Sequence, residues 1–457
     1  MSTDPDFTPA RHLCYVSIRI ETGGGTVRIN LDYGRTGISV EVPDRHLTRV
    51  ITLPPDPPVG DPASAVAEAL VCPIGTRPLA EIARGRRDAC IVISDRTRPV
   101  PYRVLLPPIL ETLARAGIAR DDVLILVATG LHRPPTAQEL HEMLGPDAVS
   151  AYRIESHVGR DLESHAHLGR STRGTPIAID RRYVEADLKI LTGLIEPHLM
   201  AGYSGGRKAI CPGLASIEMM RIEHGPEMLE GNIGNGILEG NPFHEDILDI
   251  AHRTGADFIV NCSVNRAKQL TAVFAGDLDA AFAAGVRRVA ASTIQAIEAP
   301  VDVVVTSGGG FPLDATFYQS IKGMIGCLNV LHTGGTIVIA TRISEGIGSA
   351  QFQRLLLETK TPSEFMERVF QPDFFTVDQW MMQHLCQVLR KARVILVSEG
   401  LPRETLGDLL VESAPTVEAG LAQAIERHGR RASIAVIPEG PYVLPTVQGE
   451  LRSIACA

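Results

Sequence analysis

The sequence predicts an α/β protein with two α/β domains, mainly parallel sheets, a cleft between the domains and a small N-terminal β-meander. Three observations predict it. Short continuous apolar runs such as Cys90–Ser94 and Val123–Ala128 are each followed by a loop and then a helical stretch, the alternation of parallel strands covered by helices. A second series of such runs begins near residue 297. Residues 13–42 instead alternate apolar and polar around Gly23, Gly24, Gly25 and the pair Tyr33-Gly34, which is the pattern of a meander with one buried face.

Each element follows from local composition. After the meander, Pro54-Pro55-Asp56-Pro57-Pro58 forms a loop that neither helix nor sheet tolerates. Cys90–Ser94 is a buried strand, Val104–Ala116 a helix and Val123–Ala128 the next strand. Thr136 with Glu139 three residues later is a capping box that opens a helix. Leu188–Thr192 is another short strand. In the second series, Val301–Thr306, Gly335–Ala340, Arg393–Val397 and Ser433–Ile437 read as strands separated by helices. The expected division is 1–296 and 297–457, with the last residues free to pack back on the first domain.

Composition narrows the class. Apolar residues are 44% and charged residues 21% of 457, a balance that builds globular cores and excludes a largely disordered chain. The net charge of -9 argues against nucleic acid or an anionic membrane as partner. MSTDPDF lacks the basic start and apolar run of a secretory leader, and no stretch reaches 18 apolar residues, so the expected location is cytoplasmic. Cys14, Cys72, Cys90, Cys211, Cys262, Cys327, Cys386 and Cys456 form no CxxC pair. They read as reduced, mostly buried thiols, Cys211 being the one near suspected chemistry.

The reactive groups cluster in loops that follow strands. SDRTRP (94–99), ATGLHRP (128–134), TGLIEPH (192–198) and SGGG (307–310) all take this position, where open α/β sheets bind ligands. His132 and His198 occupy two of these loops. Each alone reads as a hydrogen-bonded structural histidine; together they read as an acid/base pair. Lys208, after Gly205-Gly206-Arg207, suits a phosphate contact, a covalent link to a cofactor, or a plain surface position. His224 ends the helical run SIEMMRIEH, as a metal ligand or as a cation at the negative helix end. His165 and His167 form an HAH pair that reads as a solvated loop. Asp95 and Arg98 share one loop, where Asp95 fixes a histidine tautomer, binds a ribose hydroxyl or pairs locally with Arg98. Gln319 and Lys322, with Tyr318 beside them, share a helix face. That face is solvated or, with the Gly triplet upstream, the ligand-facing start of a helix.

Taken together, LDYG (31–34), SDRTRP, ATGLHRP, EPHLMAGYSGGRK (196–208), IEHG (222–225) and FYQSIKG (317–323) resemble the nickel-dependent lactate racemase family over most of the chain. The resemblance implies a racemase or epimerase that inverts C2 of a 2-hydroxy acid, lactate or a related acid. It implies a nickel-pincer nucleotide, a pyridinium mononucleotide carrying thioamide and thiocarboxylate sulfurs, attached covalently to Lys208, with His224 as the protein ligand to Ni(II). His132 and His198 become the acid/base residues. Asp95, Thr97, Gly205 and Gly206 fall to the cofactor, and Arg98, Tyr318, Gln319 and Lys322 to the substrate. The first domain then carries the cofactor anchor and the histidines, and the second contributes substrate contacts. The enzymes that make the cofactor are the implied partners.

Substrate identity is open along the acid's side chain. Met200 and the single tryptophan, Trp380, are candidates for the pocket, with packing the alternative for Trp380. The rival readings are a C2 epimerase of a sugar acid with the same cofactor, a zinc hydrolase built on His132, His198 and His224, an NAD-dependent dehydrogenase, and a non-catalytic carboxylate-binding protein. HExxH and GxGxxG are both absent, which counts against the zinc and NAD readings.

Overall fold

A computed structural model describes residues 20–23 and 25–448. Cys14, Cys456, the start of the alternating N-terminal stretch and the chain end expected to pack back on the first domain lie outside the described residues. The described residues form two compact units: Pro54–Ile294, and the described residues up to Leu53 together with Gln295–Gln448.

The unit Pro54–Ile294 is built on a six-stranded sheet in the spatial order Leu270–Gly276, Phe258–Val264, Leu188–Leu194, Ala89–Ser94, Val123–Ala128, Arg153–Ser156. Every pairing is parallel except that of Leu270–Gly276. Ala89–Ser94 and Val123–Ala128 are buried along nearly their whole length, as strands covered on both faces must be. The helix Tyr102–Ala116 buries Leu105, Leu106, Ile109, Leu110 and Leu113. It stops at Gly117, whose φ of 100° turns the chain out of the helix. The Thr136–Glu139 capping box forms as expected. From Ala89–Ser94 the chain adds strands in one direction, and from Leu188–Leu194 in the other. The switch point between these two strands opens a crevice at their carboxyl ends.

The HAH pair is not a solvated loop. His165–Arg170 is a strand paired antiparallel with Pro176–Asp180, and His165 is buried while His167 faces out. The His165 ring meets that of His157 edge-on, 5.2 Å between centroids.

The second unit carries another six-stranded sheet, all parallel, in the order Glu412–Ser413, Ala392–Val397, Leu331–Ala340, Val301–Ser307, Ile434–Ile437, Leu47–Val50. Its last strand comes from the N-terminal part of the chain. So does the meander Ile20–Gly23, Thr26–Leu31, Ile38–Pro43, whose Val27, Ile29, Leu31, Val40 and Val42 share one core with Val303, Val305, Val338 and Ile395. The division therefore differs from the one expected at 296/297. The cause is physical: the apolar face of the meander must be buried against another layer, and the sheet that covers it lies some 250 residues further on. Among the described residues no helix is long and apolar enough to cross a membrane.

Ile29 is fully buried in that shared core. Ile29→Ala is expected to cost about 2–5 kcal/mol. Hydrogen exchange should accelerate in Val301–Ser307 and Leu331–Ala340 and stay unchanged in Ala89–Ser94. Acceleration confined to Pro54–Ile294 would contradict the division.

Candidate active site

Asp95 is the first residue after the strand Ala89–Ser94 and is buried. Its Oδ1 accepts the Thr97 amide at 3.0 Å and the Thr97 hydroxyl at 2.5 Å. Its Oδ2 meets His132 Nδ1 at 2.6 Å. Burial raises the Asp95 carboxyl, but His132 and the two Thr97 donors outweigh it and hold the group below the usual carboxylate range. Asp95 is therefore ionised at neutral pH, and His132 Nδ1 is the donor. With a hydrogen on Nδ1, the tautomer that pairs with Asp95 leaves Nε2 with the lone pair, and the side chain is 64% exposed. Of the three sequence readings of Asp95, tautomer fixing is the one the geometry matches. Arg98 pairs instead with Glu196, at 3.4 Å.

His198 is held in the opposite sense. Pro197–His198 pairs with Gly202–Tyr203 as a minimal hairpin. Inside it, His198 Nδ1 accepts the amides of Met200 and Ala201, both at 3.2 Å. Gly202 closes the turn at φ 74°, and a Cβ there would stand 2.3 Å from the Ile237 carbonyl oxygen. Only glycine fits.

The glycine pair before Lys208 serves packing. A Cβ on Gly205 would meet Asn261 Oδ1 at 2.8 Å, and one on Gly206 would meet the Phe282 ring at 3.1 Å. The Gly206 amide donates to Asn261 Oδ1 at 2.7 Å, so that amide is spent within the chain. The pair shapes the tight turn Gly206–Ala209 that presents Lys208. Arg207 is fully buried. Its guanidinium donates to the Ala201 carbonyl at 2.7 Å and to His244 Nδ1 at 3.0 Å, and lies 4.1 Å from the centroid of the Phe282 ring. Around this turn the Tyr203 hydroxyl, Ser204 Oγ and Asn261 Nδ2 are buried with no hydrogen-bond partner. Cys211 is buried and its thiol is pushed up by that burial, as a packing residue.

His224 caps the helix Ile217–Glu223, its amide donating to Met220 at 2.9 Å. Its ring stands edge-on to Phe243, 5.5 Å between centroids. Beneath it, Thr175 Oγ1 lies 2.6 Å from Asp246 and 3.2 Å from Glu223. Burial, then the Asp246 carboxyl, pushes Glu223 well above the usual range. The approach to this helix is clamped by His157, fully buried, with Nδ1 3.0 Å from Asp180 and Nε2 3.1 Å from the Ala215 carbonyl. Both partners are oxygen acceptors, so the ring is wedged between Asp180 and the Ala215 carbonyl.

Direct contacts tie these loops to one end of the sheet. The Gly130 amide, two residues before His132, reaches the Gly213 carbonyl at 3.0 Å, and the Ser204 amide reaches the Glu196 carbonyl at 2.8 Å. Glu196, Asn261, Arg207 and Asn241 were not among the expected site residues. Glu196 and Arg207 lie inside EPHLMAGYSGGRK, which was the available signal for them, and nothing in the spacing of Asn241 and Asn261 distinguishes those two. Among the described residues no group of three or more His, Cys, Asp or Glu side chains could hold a metal ion. The zinc reading needs such a cluster.

In the second unit, Tyr318, Gln319 and Lys322 sit on the helix Phe317–Gly326, capped by Thr316. The Gly triplet lies upstream of this helix, in the preceding loop, where a Cβ on Gly308 would meet Thr341 Oγ1 at 2.6 Å. Trp380 Nε1 donates to the Tyr318 hydroxyl at 3.0 Å, and burial pushes that hydroxyl up. Gln319 Oε1 is buried without a hydrogen-bond partner, unlike an atom on a solvated face.

Residues 33–236 match the family model of the lactate racemase N-terminal domain, and residues 296–444 that of the lactate racemase C-terminal domain. The chain is similar to the lactate racemase of Thermoanaerobacterium thermosaccharolyticum, 33% identical over 422 residues, covering 91% of this chain and 98% of that one. It is 35% identical over 384 residues to the lactate racemase of Lactiplantibacillus plantarum, covering 83% and 90%. Its fold matches the structure of the lactate racemase apoprotein from T. thermosaccharolyticum with a TM-score of 0.86 at 33% identity, over 92% of this chain and 99% of that one. A protein from Thermotoga maritima, 18% identical, shares the fold with a TM-score of 0.61 over 85% and 99%.

The Asp180 carboxyl makes a pH prediction. Burial raises it, but Arg182 and His157 lower it to about 2. A depressed carboxyl contributes stability that is full above its unfolded value and lost as pH falls through its folded value. Asp180→Asn is expected to lose about 3 kcal/mol at pH 7, and the gap to wild type should shrink as pH falls from about 4 to about 2. Urea midpoints across that range check it; a constant gap would contradict it.

Proposed function

The chain belongs to the lactate racemase family, whose members are isomerases, and from that premise we propose that it inverts C2 of a 2-hydroxy acid, lactate or a close relative, with a nickel-pincer nucleotide anchored on Lys208. The observation that carries the reading is the Asp95–His132 pair: a buried carboxylate that leaves an exposed imidazole with a free lone pair.

The residues present fit the group. The three partnerless buried atoms of Tyr203, Ser204 and Asn261 border the Lys208 turn and favour a polar occupant, because a buried polar group without a partner is costly. Lys208 would hold the nucleotide through its amine. His224 would give nickel one imidazole nitrogen, a donor that suits the metal, and the remaining ligands must come from the nucleotide itself. The chemistry such a group would supply, when bound, is reversible uptake of the C2 hydride.

The chain's own residues do the rest. His132 Nε2 takes the hydroxyl proton, and Asp95 stabilises the imidazolium that forms. His198 faces the same chemistry from its hairpin as the second acid/base residue. Arg98, oriented by Glu196, offers the guanidinium fork that a substrate carboxylate fits. Thr97 acts through Asp95. Gly205 and Gly206 support the cofactor indirectly, by setting the Lys208 turn. Tyr318, Gln319 and Lys322 are the second unit's proposed substrate contacts, with the partnerless Gln319 oxygen as support.

Intact-protein mass spectrometry tests the anchor. Made in cells that carry the cofactor-making enzymes and nickel, wild type should gain a mononucleotide-sized adduct that Lys208→Ala lacks. An unmodified wild type, with a control protein loaded, would overturn it. His224→Ala should keep the adduct but lose most of its nickel by elemental analysis. His132→Ala should keep both and lose about 100-fold or more of the racemisation rate.

A further inference from the structure

We propose that Asp314 is the positioning residue for the helix Phe317–Gly326, and that the LDYG turn (31–34) acts through it. The inference rests on the reading of Gln319 and Lys322 as substrate contacts and deepens it.

A helix leaves the amides of its first turn without partners inside the helix. Here the surrounding chain supplies them. Thr316 Oγ1 accepts the Gln319 amide at 3.3 Å. The Phe317 amide donates to the Gly346 carbonyl at 3.2 Å, and the Tyr318 amide to the Ile347 carbonyl at 2.9 Å. In return the Glu345 amide donates to the Ala315 carbonyl at 2.7 Å. The helix start therefore takes its place from the segment 341–348, which follows the strand Leu331–Ala340. Gln319 and Lys322 share one face of that helix and inherit the placement.

Asp314 holds this segment. Its side chain is fully buried. Oδ2 accepts the Arg342 amide at 3.1 Å and the Gly34 amide at 2.6 Å. The Asp314 carbonyl accepts the Ile343 amide at 2.8 Å, and its own amide donates to the Gly310 carbonyl at 2.9 Å. Ile343 stands at φ 49°, a left-handed conformation that a β-branched side chain disfavours. It persists only where its surroundings over-determine it. Gly400 backs it from another side: a Cβ there would stand 2.2 Å from the carbonyl oxygens of both Arg342 and Ile343.

The LDYG turn supplies the other partner. The Gly34 carbonyl accepts the Phe311 amide at 2.8 Å, and the Asp32 amide donates to the Pro438 carbonyl at 2.9 Å. The Tyr33 hydroxyl accepts the Glu399 amide at 3.3 Å. These bonds fix the turn that aims the Gly34 amide at Asp314, across 280 residues of sequence. The remaining oxygen, Asp314 Oδ1, is buried without a hydrogen-bond partner. That is costly, and such local conflicts gather at functional sites. What the cost maintains is a junction of three chain segments at the entry to the helix.

Contacts to the parts of the acid that inversion at C2 leaves unchanged hold substrate and transition state alike. Weakening them raises KM and spares kcat. Loss of Asp314 should show that split.

Two measurements test this. The first needs no cofactor. In Asp314→Ala, hydrogen exchange should accelerate about tenfold or more at Phe317 and Tyr318, whose own acceptors are intact, and stay unchanged in Val301–Ser307. Acceleration confined to Gly34 and Arg342, which lose their acceptor directly, would overturn the proposal. The second is kinetics of the loaded enzyme. Asp314→Ala should raise KM about tenfold with kcat within about twofold of wild type. In a Gln319→Ala/Lys322→Ala background the same substitution should change KM by less than about twofold, because a residue that acts through two others loses its effect once they are gone. An effect on KM that survives in that background, or no effect in the wild-type background, overturns the proposal and leaves the substrate contacts standing. A wild-type KM in the Gln319→Ala/Lys322→Ala enzyme itself overturns the substrate-contact reading, and this inference with it. If Asp314→Ala loosens Val301–Ser307 as well, Gly34→Ala carries the test. The nearest atom to its Cβ is Arg342 Cγ at 3.5 Å, so what it disturbs is the φ of 52°. It should raise KM about threefold; an unchanged KM overturns the proposal.

Discussion

Much of the site depends on one buried cation. Among the described residues no carboxylate lies within ion-pair distance of Arg207; it spends its donors on the Ala201 carbonyl and His244 Nδ1 and lies against the Phe282 ring. A buried charge held by neutral acceptors is expensive. What it gains is geometry: one rigid planar group joins the His198 hairpin, the Lys208 turn and the helix Pro242–Thr254. Lysine, a point charge on a flexible stem, cannot span three such partners. The turn is narrow because Arg207 and Asn261 draw it inward, and that narrowness is what forces glycine at 205 and 206.

The sequence displays what is local. Strand bounds at Ala89–Ser94 and Val123–Ala128, the capping box at Thr136 and the loop positions of Asp95, His132 and His198 follow from periodicity and end signals. The histidine–carboxylate pair was also within reach, because Asp95 and His132 end adjacent parallel strands. What the sequence conceals is non-local. No pattern in the first 53 residues says which sheet covers the meander. The HAH pair looks polar, and the burial of His165 comes from pairing with Pro176–Asp180 and an edge-on contact with His157. A glycine pair before a lysine invites an anion-binding reading, whereas Asn261, half a hundred residues on, already occupies the amide. Asn241 lies outside every motif, and Glu196, though inside EPHLMAGYSGGRK, has a role set by Arg98 across the fold.

The same distinction separates the two histidines. Both follow strands and both stand in motifs, so the sequence makes them a pair. The difference lies in what meets Nδ1: a side chain from a neighbouring strand end for one, and the following backbone for the other. Backbone partners leave no trace in residue identity beyond the glycine that closes the turn.

The strand Leu47–Val50 and the meander before it have a consequence for how the protein is made. A ribosome delivers them first, yet their partners Val301–Ser307 and Ile434–Ile437 come after the whole Pro54–Ile294 unit. At roughly 5–20 residues per second this is a wait of about ten seconds to a minute. Throughout it Ile29, Leu31, Val40 and Val42 expose an apolar face that nothing in the nascent chain is yet able to cover, while the intervening unit has every strand it needs to finish first. The order of folding is thus inverted with respect to the order of synthesis for one unit only, and the meander is the segment that needs shielding longest.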